Sequence, residues 1–146
     1  MYRLPRRMID ETFATLRSCG AGQRECKLYW LSYWRDVDKL VEVAHPGHDS
    51  NRYGLTIHDE WITRFWNELV DKGLGVRVQV HTHPGAAFHS PTDDAFPLIH
   101  DVGFLSLVIP DFALGEIGFA GAYLTEIQPD GCWQQVPIEA RLSVHD

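Results

Sequence analysis

The sequence lacks any long apolar run, and this absence excludes an ordinary helical membrane protein. Hydrophobic residues make up 45% of the chain, but charged side chains interrupt every apolar run. Each run is much shorter than the stretch of about 20 apolar residues that a membrane-spanning helix needs. The first residues are likewise broken by Arg3, Arg6 and Asp10, so they do not form the apolar stretch of a signal peptide. We therefore expect a soluble, cytoplasmic protein.

Cysteine is scarce. The three cysteines, Cys19, Cys26 and Cys132, form no C-x-x-C pair. This odd number and wide spacing are typical of a reducing compartment and not of a small secreted domain held together by disulfides.

Basic residues are in deficit, with 13 Lys and Arg against 20 Asp and Glu and a formal net charge of −7. Nucleic acids and anionic membrane surfaces attract positively charged proteins, so this balance argues against both as partners. No repeat, low-complexity tract or linker divides the 146 residues, a length that is usual for one domain. We expect a single domain over residues 1–146.

Hydrophobic periodicity predicts the order of helices and strands. Apolar residues recur at helical spacing over residues 5–18 and 58–72, and a glycine follows each segment as a stop signal. Residues 46–54 have the composition of a loop, and a short helical turn is expected near 92–100. The remaining apolar segments predict strands, at residues 26–34, 40–45, 76–83, 103–110, 116–127 and 132–142. Without regular βαβ alternation, this order predicts an α+β fold with a mixed, mainly antiparallel sheet flanked by helices.

One short stretch, VHTHPGAAFHSPTDD at residues 80–94, combines several metal-binding residue types. Residues i and i+2 of a strand project from the same face, so His81 and His83 can direct their imidazoles at one point. Pro84 then ends the strand, and an aspartate of SPTDD can return as a third ligand. A catalytic zinc site takes three protein ligands and keeps one position open, and the ion lowers the pKa of a bound water to about 7.

The spacing of this stretch resembles the JAMM metalloprotease signature, which marks the zinc-bearing branch of the MPN family (Mov34/PAD-1, prokaryotic JAB). That signature reads HxH, seven residues, then SxxD, with a glutamate far upstream. Residues 81–83 and 90–93 match its two halves, although the intervening linker holds six residues, a deletion that loops tolerate. The predicted order of elements up to about residue 110 is also similar. The resemblance implies the three-layer, cytidine-deaminase-like architecture of JAMM/MPN domains.

The resemblance also implies roles for individual residues. His81, His83 and Asp93 would bind zinc, with Asp94 as the alternative third ligand. Ser90 would stabilise the oxyanion of the reaction by donating a hydrogen bond, and a serine at this position can equally cap the following turn.

Hydrolysis further needs a general base, and two glutamates precede or lie in hydrophobic strands. JAMM proteins carry this glutamate after the first helix and just ahead of the first strand, which is the position of Glu25. The strands predicted at residues 26–34 and 40–45 are expected to form a hairpin. Glu42, in its second strand, is the alternative, and we favour Glu25. The glycine-rich run that commonly follows this glutamate is replaced here by Lys27-Leu28-Tyr29-Trp30.

The histidines outside this signature have a simpler interpretation. His45 and His48 fall in a predicted loop with no second cluster of cysteine or aspartate evident around them in the sequence. His89 is also a loop residue and could contact substrate beside the metal. The strand predicted at residues 103–110 is interpreted as buried, with the capacity to receive an extended peptide by β-augmentation.

The family resemblance implies a zinc-dependent isopeptidase or peptidase that hydrolyses the bond after the C-terminal tail of a ubiquitin-like protein. The compact chain is similar to bacterial members that often accompany ubiquitin-like conjugation genes, some of them in antiphage defence, so E1- and E2-like proteins are further expected partners. One alternative is a JAMM peptidase that processes a sulfur-carrier protein. The other is a non-catalytic MPN scaffold, although such domains lack one or more of the ligands.

Overall fold

The structure is a computed structural model that describes residues 1–90 and 98–146. The predicted third ligand Asp93, its alternative Asp94 and most of the helical turn predicted near 92–100 lie outside the described residues. Within the described ranges, no helix is long and apolar enough to cross a membrane.

Two α-helices form where the periodicity predicts them. Helix α1 spans Arg6–Gly20 and helix α2 spans Asp59–Lys72. Each is followed by a residue in the left-handed conformation, Ala21 after α1 and Gly73 after α2, whose backbone N–H bonds to a carbonyl of the last turn. A glycine therefore ends α2 as predicted, whereas in α1 Gly20 is the last residue of the helix and Ala21 takes the left-handed position.

The described residues form ten strands, six of which make one central sheet in the order β3-β2-β6-β7-β8-β9. Strands β6 and β7 are parallel, and the other neighbours are antiparallel. The predicted α+β class with a mixed, mainly antiparallel sheet is confirmed. The strands are β1 Tyr2–Pro5, β2 Lys27–Tyr33, β3 Leu40–Ala44, β4 His48–Asn51, β5 Gly54–Ile57, β6 Leu74–Thr82, β7 Leu105–Ile109, β8 Tyr123–Ile127, β9 Trp133–Gln135 and β10 Leu142–His145.

The loop prediction for residues 46–54 is wrong, because this segment forms most of the β4–β5 hairpin. Strand β4, HDSN, contains no apolar residue, and the two apolar residues of β5, Leu55 and Ile57, follow the segment that was predicted as a loop. Residues 46–54 therefore show no alternation of apolar and polar residues that would predict a strand. The turn is stabilised by the Asn51 side-chain oxygen, which accepts a hydrogen bond of 2.8 Å from the Tyr53 backbone N–H, and this Asx geometry is common in tight turns. Strand β1, which the sequence did not predict, pairs with β10.

The central sheet is buried on both faces, which gives three layers. Helix α1 packs against one face through a cluster that includes Trp30, Val78 and Val80. On the opposite face, Phe65 of α2 belongs to a second hydrophobic cluster, which includes Tyr29 of β2. Because side chains alternate along a strand, Gln79 and His81 project away from α1. This alternation determines which face of β6 carries the site.

Candidate metal centre and cleft

Pairing between β2 and β6 brings the sequence-predicted residues together. Lys27 lies opposite His81, and Thr82 and Cys26 are joined by two hydrogen bonds, from the Thr82 N–H to the Cys26 carbonyl and from the Cys26 N–H to Thr82 Oγ1, each 3.0 Å. Glu25, two residues before Lys27, and His83, two residues after His81, line the same cleft. The carboxylate and the two imidazoles therefore share one end of the sheet, on one face.

The two histidines at the end of β6 are buried, His81 with 1% and His83 with 4% of its surface exposed. Their ring centres are 5.2 Å apart. Two imidazoles bound through nitrogen to one tetrahedral ion at about 2.1 Å put their ring centres roughly 5 Å apart. The pair therefore fits a shared metal ion in spacing and in donor type, and nitrogen donors of this kind suit zinc.

The backbone around His83 is held by a turn that follows β7. The His83 N–H donates to the Ile109 carbonyl at 3.0 Å, the Phe112 N–H donates to the His83 carbonyl at 2.9 Å, and the Asp111 N–H donates to the Gly85 carbonyl at 3.0 Å. Asp111 and Phe112 adopt left-handed φ values of 56° and 53°, which is uncommon for residues with a Cβ. Backbone strain of this kind is found at functional sites, and here it directs two N–H groups at the segment that carries His83.

The histidine pair opens into a cleft of about 380 Å³ that is also lined by Glu25 and Ser90. Glu25 is buried, with 9% of its surface exposed, and its backbone N–H donates to the Asn51 carbonyl of β4 at 2.8 Å. Glu42 lies elsewhere: it is an exposed residue of β3 and lines a separate depression. Of the two candidate bases, Glu25 is the one that shares the cleft with the histidines.

The sequence did not predict the other walls of the cleft. Tyr53 and Leu55 of the β4–β5 hairpin form one wall, and Phe88 belongs to the loop that follows His83. The Phe88 ring lies edge-on to His83, with ring centres 4.6 Å apart. His89 packs against Trp133 at 4.6 Å, and its ring centre is 6.4 Å from that of His81.

A second group of potential ligands was missed in the sequence, and the isolated-loop interpretation of His45 and His48 is wrong. Cys19, Cys26, His45 and His48 each direct one ligand atom into a single cluster, and these atoms all lie within 4.8 Å of one another. The structure joins Cys19 and Cys26 in a disulfide, contrary to the expectation of unpaired cysteines. Partial burial, together with neighbouring His48, lowers the pKa of His45. The spacings C-x6-C and H-x2-H were the available signal, but the cysteine spacing is wider than that of common zinc motifs.

A sequence comparison finds a relative of described activity. A probable metalloprotease of Sinorhizobium fredii is 30% identical to the chain over 139 residues, which cover 92% of this chain and 86% of that protein. No protein-family model matches the chain.

Solved structures share the fold at lower sequence identity. A protein from Desulfitobacterium hafniense superposes with a TM-score of 0.72 at 15% identity, covering 100% of this chain and 94% of that one. A JAB1/MPN domain protein from Archaeoglobus fulgidus gives a TM-score of 0.57 at 13% identity, with coverage of 99% and 97%. A Salinibacter ruber protein gives 0.59 at 16% identity, with coverage of 94% and 89%. At these identities the likeness concerns the fold alone.

Proposed function

Since the chain belongs to the JAMM/MPN family of metalloproteases, we propose that it is a zinc-dependent peptidase or isopeptidase. Its substrate would be the bond that follows the C-terminal tail of a ubiquitin-like protein, cut in the cytoplasm of a bacterium that conjugates such proteins, a setting that includes antiphage defence. The observation that carries the proposal is the convergence of Glu25, His81, His83 and Ser90 on one cleft.

The metal would be held by His81 and His83 through their imidazole nitrogens and by Asp93 through its carboxylate, with Asp94 as the alternative. Support comes from the 5.2 Å spacing of the two rings and from their burial at the end of β6. When bound, zinc supplies a Lewis acid that acidifies water and polarises a carbonyl group.

The protein groups beside the metal would carry the proton and the developing charge. Glu25 would accept a proton from the attacking water and pass it to the nitrogen of the leaving amine, as a general base and then a general acid. Ser90 would donate a hydrogen bond from its hydroxyl group to the carbonyl oxygen as negative charge develops on it. Both side chains line the same cleft as the histidines, so a single carbonyl bound there can be within reach of both.

The cleft suits an extended chain. Its walls come from the β4–β5 hairpin and from the loop after His83, and exposed aromatic residues, Tyr53 at 82% and Phe88 at 51%, stand at its edge. Strand β7 is not available for β-augmentation, because it pairs with β6 on one side and with β8 on the other. We therefore propose that the tail of a ubiquitin-like protein lies between the hairpin and the loop. E1- and E2-like proteins would make the conjugates that this enzyme cuts.

Two matched glutamine variants test the choice of base. Glu25→Gln should keep its zinc and lower kcat by about 10²–10⁴-fold, the usual contribution of a general base. Glu42→Gln should keep both zinc and activity. The assay is cleavage of a ubiquitin-like protein fused through its C-terminus to a reporter, with zinc measured by elemental analysis. If Glu42→Gln is the inactive variant, the base is misassigned.

The same assay separates the alternatives for the substrate. If the enzyme cleaves only a carrier protein that bears a single added residue at its C-terminus, the substrate is a sulfur-carrier protein and not a ubiquitin-like conjugate. A chain that holds its metal and cleaves neither type of substrate would instead support a scaffold.

A further inference from the structure

We propose that Cys19, Cys26, His45 and His48 form a second metal site, which binds a structural zinc ion outside the catalytic cleft. The four residues come from four places in the chain: the last turn of α1, the residue before β2, the residue after β3 and the first residue of β4. Their ligand atoms nevertheless lie within 4.8 Å of one another. Two thiolates and two imidazoles are a common ligand set of structural zinc sites.

Two cysteine–histidine distances in the cluster are close to those that a shared ion requires. Nε2 of His48 lies 3.3 Å from Sγ of Cys19, and Nε2 of His45 lies 3.3 Å from Sγ of Cys26. A tetrahedral zinc ion with bonds of about 2.3 Å to sulfur and 2.0–2.1 Å to nitrogen sets each sulfur roughly 3.5 Å from each nitrogen. Both cysteine–histidine pairs are thus within a few tenths of an ångström of ligand spacing.

One histidine is also oriented as a metal ligand would be. Nδ1 of His48 lies 2.9 Å from the carbonyl oxygen of Pro46, so Nδ1–H donates to that oxygen and the lone pair is left on Nε2. Metal-binding histidines usually donate a hydrogen bond from their second ring N–H in this way, which fixes both the tautomer and the ring plane. The Pro46 carbonyl therefore directs the free nitrogen of His48 at Cys19.

A disulfide alone does not account for the histidines. Only the two sulfurs take part in it, whereas each sulfur here also has an imidazole nitrogen beside it. Zinc binding requires both cysteines to be reduced and deprotonated, so the disulfide and the zinc site are alternative states of the same residues. In a reducing medium the reduced, metal-bound state is the one that we propose.

The site would link two segments that line the cleft. Cys26 directly follows Glu25, and its backbone N–H is bonded to Thr82 between the two cleft histidines. His48 begins the hairpin that carries Tyr53 into the cleft. A single ion bound to both would hold the segment of the candidate base against the hairpin and the end of α1.

Zinc content tests the proposal on protein purified with a reducing agent and without a chelator. If the cleft is also loaded, the wild type should hold about two zinc ions per chain, and Cys19→Ser and His45→Ala should each lose about one. Cys132→Ser and His100→Ala are the matched controls, because both residues are exposed and lie outside the two clusters, and both should retain the wild-type content. Unchanged zinc in Cys19→Ser would overturn the second site.

The result is separable from failure of the proposed function. His81→Ala removes a cleft ligand only, so it should lose the cleft ion and keep the second one. If the protein holds one ion that Cys19→Ser removes and His81→Ala does not, the second site stands and the cleft metal fails. The reverse pattern overturns the second site alone.

Cobalt substitution tests the proposal even if variants of the four cluster residues do not fold. Cobalt bound by thiolate should produce a sulfur-to-metal charge-transfer band in wild type, Cys132→Ser and His81→Ala. Absence of that band from reduced, cobalt-loaded wild type would contradict the proposal. The proposal would also be contradicted if alkylation under the same reducing conditions modified only Cys132 and left Cys19 and Cys26 joined by a disulfide.

Discussion

Lys27 of β2 and His81 of β6 are cross-strand partners. This pairing brings Glu25, two residues before Lys27, and His83, two residues after His81, into the same cleft. A candidate base and two candidate ligands that are far apart in the sequence thereby share one face at the end of the sheet. The predictions below follow from this arrangement and from the contacts that support it.

The third metal ligand can be identified by two neighbouring substitutions. Asp93→Asn should weaken zinc binding by more than the roughly 10–100-fold that follows loss of an outer-shell partner, because it removes a charged ligand from the ion. Asp94→Asn should leave the affinity unchanged. Competition with a chromogenic chelator measures both, on a Cys19→Ser background so that a single site is titrated. The opposite ranking would assign the ligand to Asp94.

Ser90→Ala should lower kcat by about 10²–10³-fold, the effect of removing one oxyanion donor, while KM changes little. The physical reason is that the hydroxyl bonds to an oxygen whose negative charge develops only in the transition state. Steady-state kinetics on the reporter fusion separates the two parameters. A raised KM at constant kcat would show instead that Ser90 serves ground-state binding.

A buried hydrogen bond between helix α1 and the sheet should contribute measurably to stability. Nε1 of the fully buried Trp30 donates to Oγ1 of Thr12 at 2.9 Å. Thr12→Val keeps the shape but leaves the indole N–H without its acceptor, which should lower the free energy of unfolding by about 1–3 kcal/mol. Thr12→Ser, which retains the hydroxyl, is the control and should lose less. Urea denaturation followed by tryptophan fluorescence measures both variants.

The ion pair between Glu126 and Arg141 should stabilise the fold at neutral pH and lose this effect in acid. Arg141 donates from Nε and Nη2 to the two carboxylate oxygens of Glu126, at 2.6 and 3.0 Å. These bonds, assisted by Gln128, lower the pKa of Glu126 despite the opposing effect of burial. Because the folded pKa lies below the unfolded one, the stabilisation is complete above the unfolded value of about 4.3 and disappears as the pH falls through the folded value.

Glu126→Gln should therefore lower the free energy of unfolding by about 1 kcal/mol at neutral pH, a figure reduced for the partial exposure of Arg141. The difference from wild type should shrink towards zero under acid conditions. Arg6→Gln is the control, since its partner Asp146 is 97% exposed, and its effect should stay within about 0.5 kcal/mol. If the free energies of unfolding of Glu126→Gln and wild type still differ at low pH, the ion pair is not the source of the difference.

Prediction from sequence succeeded where the signal is local. Both helices and the hairpin of β2 and β3 follow from the periodicity of neighbouring residues, and the spacing of His81 and His83 places both imidazoles on one strand face. It failed at the β4–β5 hairpin, because β4 contains no apolar residue and each strand has only four residues, too few for a clear periodic signal. It also failed at His45 and His48, because their cysteine partners belong to other elements of the fold.

The sequence by itself determined the fold class and the end of the strand that carries the histidine pair, because periodicity and short spacing translate directly into side-chain direction. The family was indicated by the resemblance of residues 81–83 and 90–93 to the JAMM signature. Only the tertiary structure decided that Glu25 and not Glu42 shares the cleft with that pair. It alone brought Cys19 to within 3.3 Å of His48, 29 positions away. The physical reason is that such proximity depends on the register between strands and on how helix α1 packs against the sheet, neither of which neighbouring residues encode.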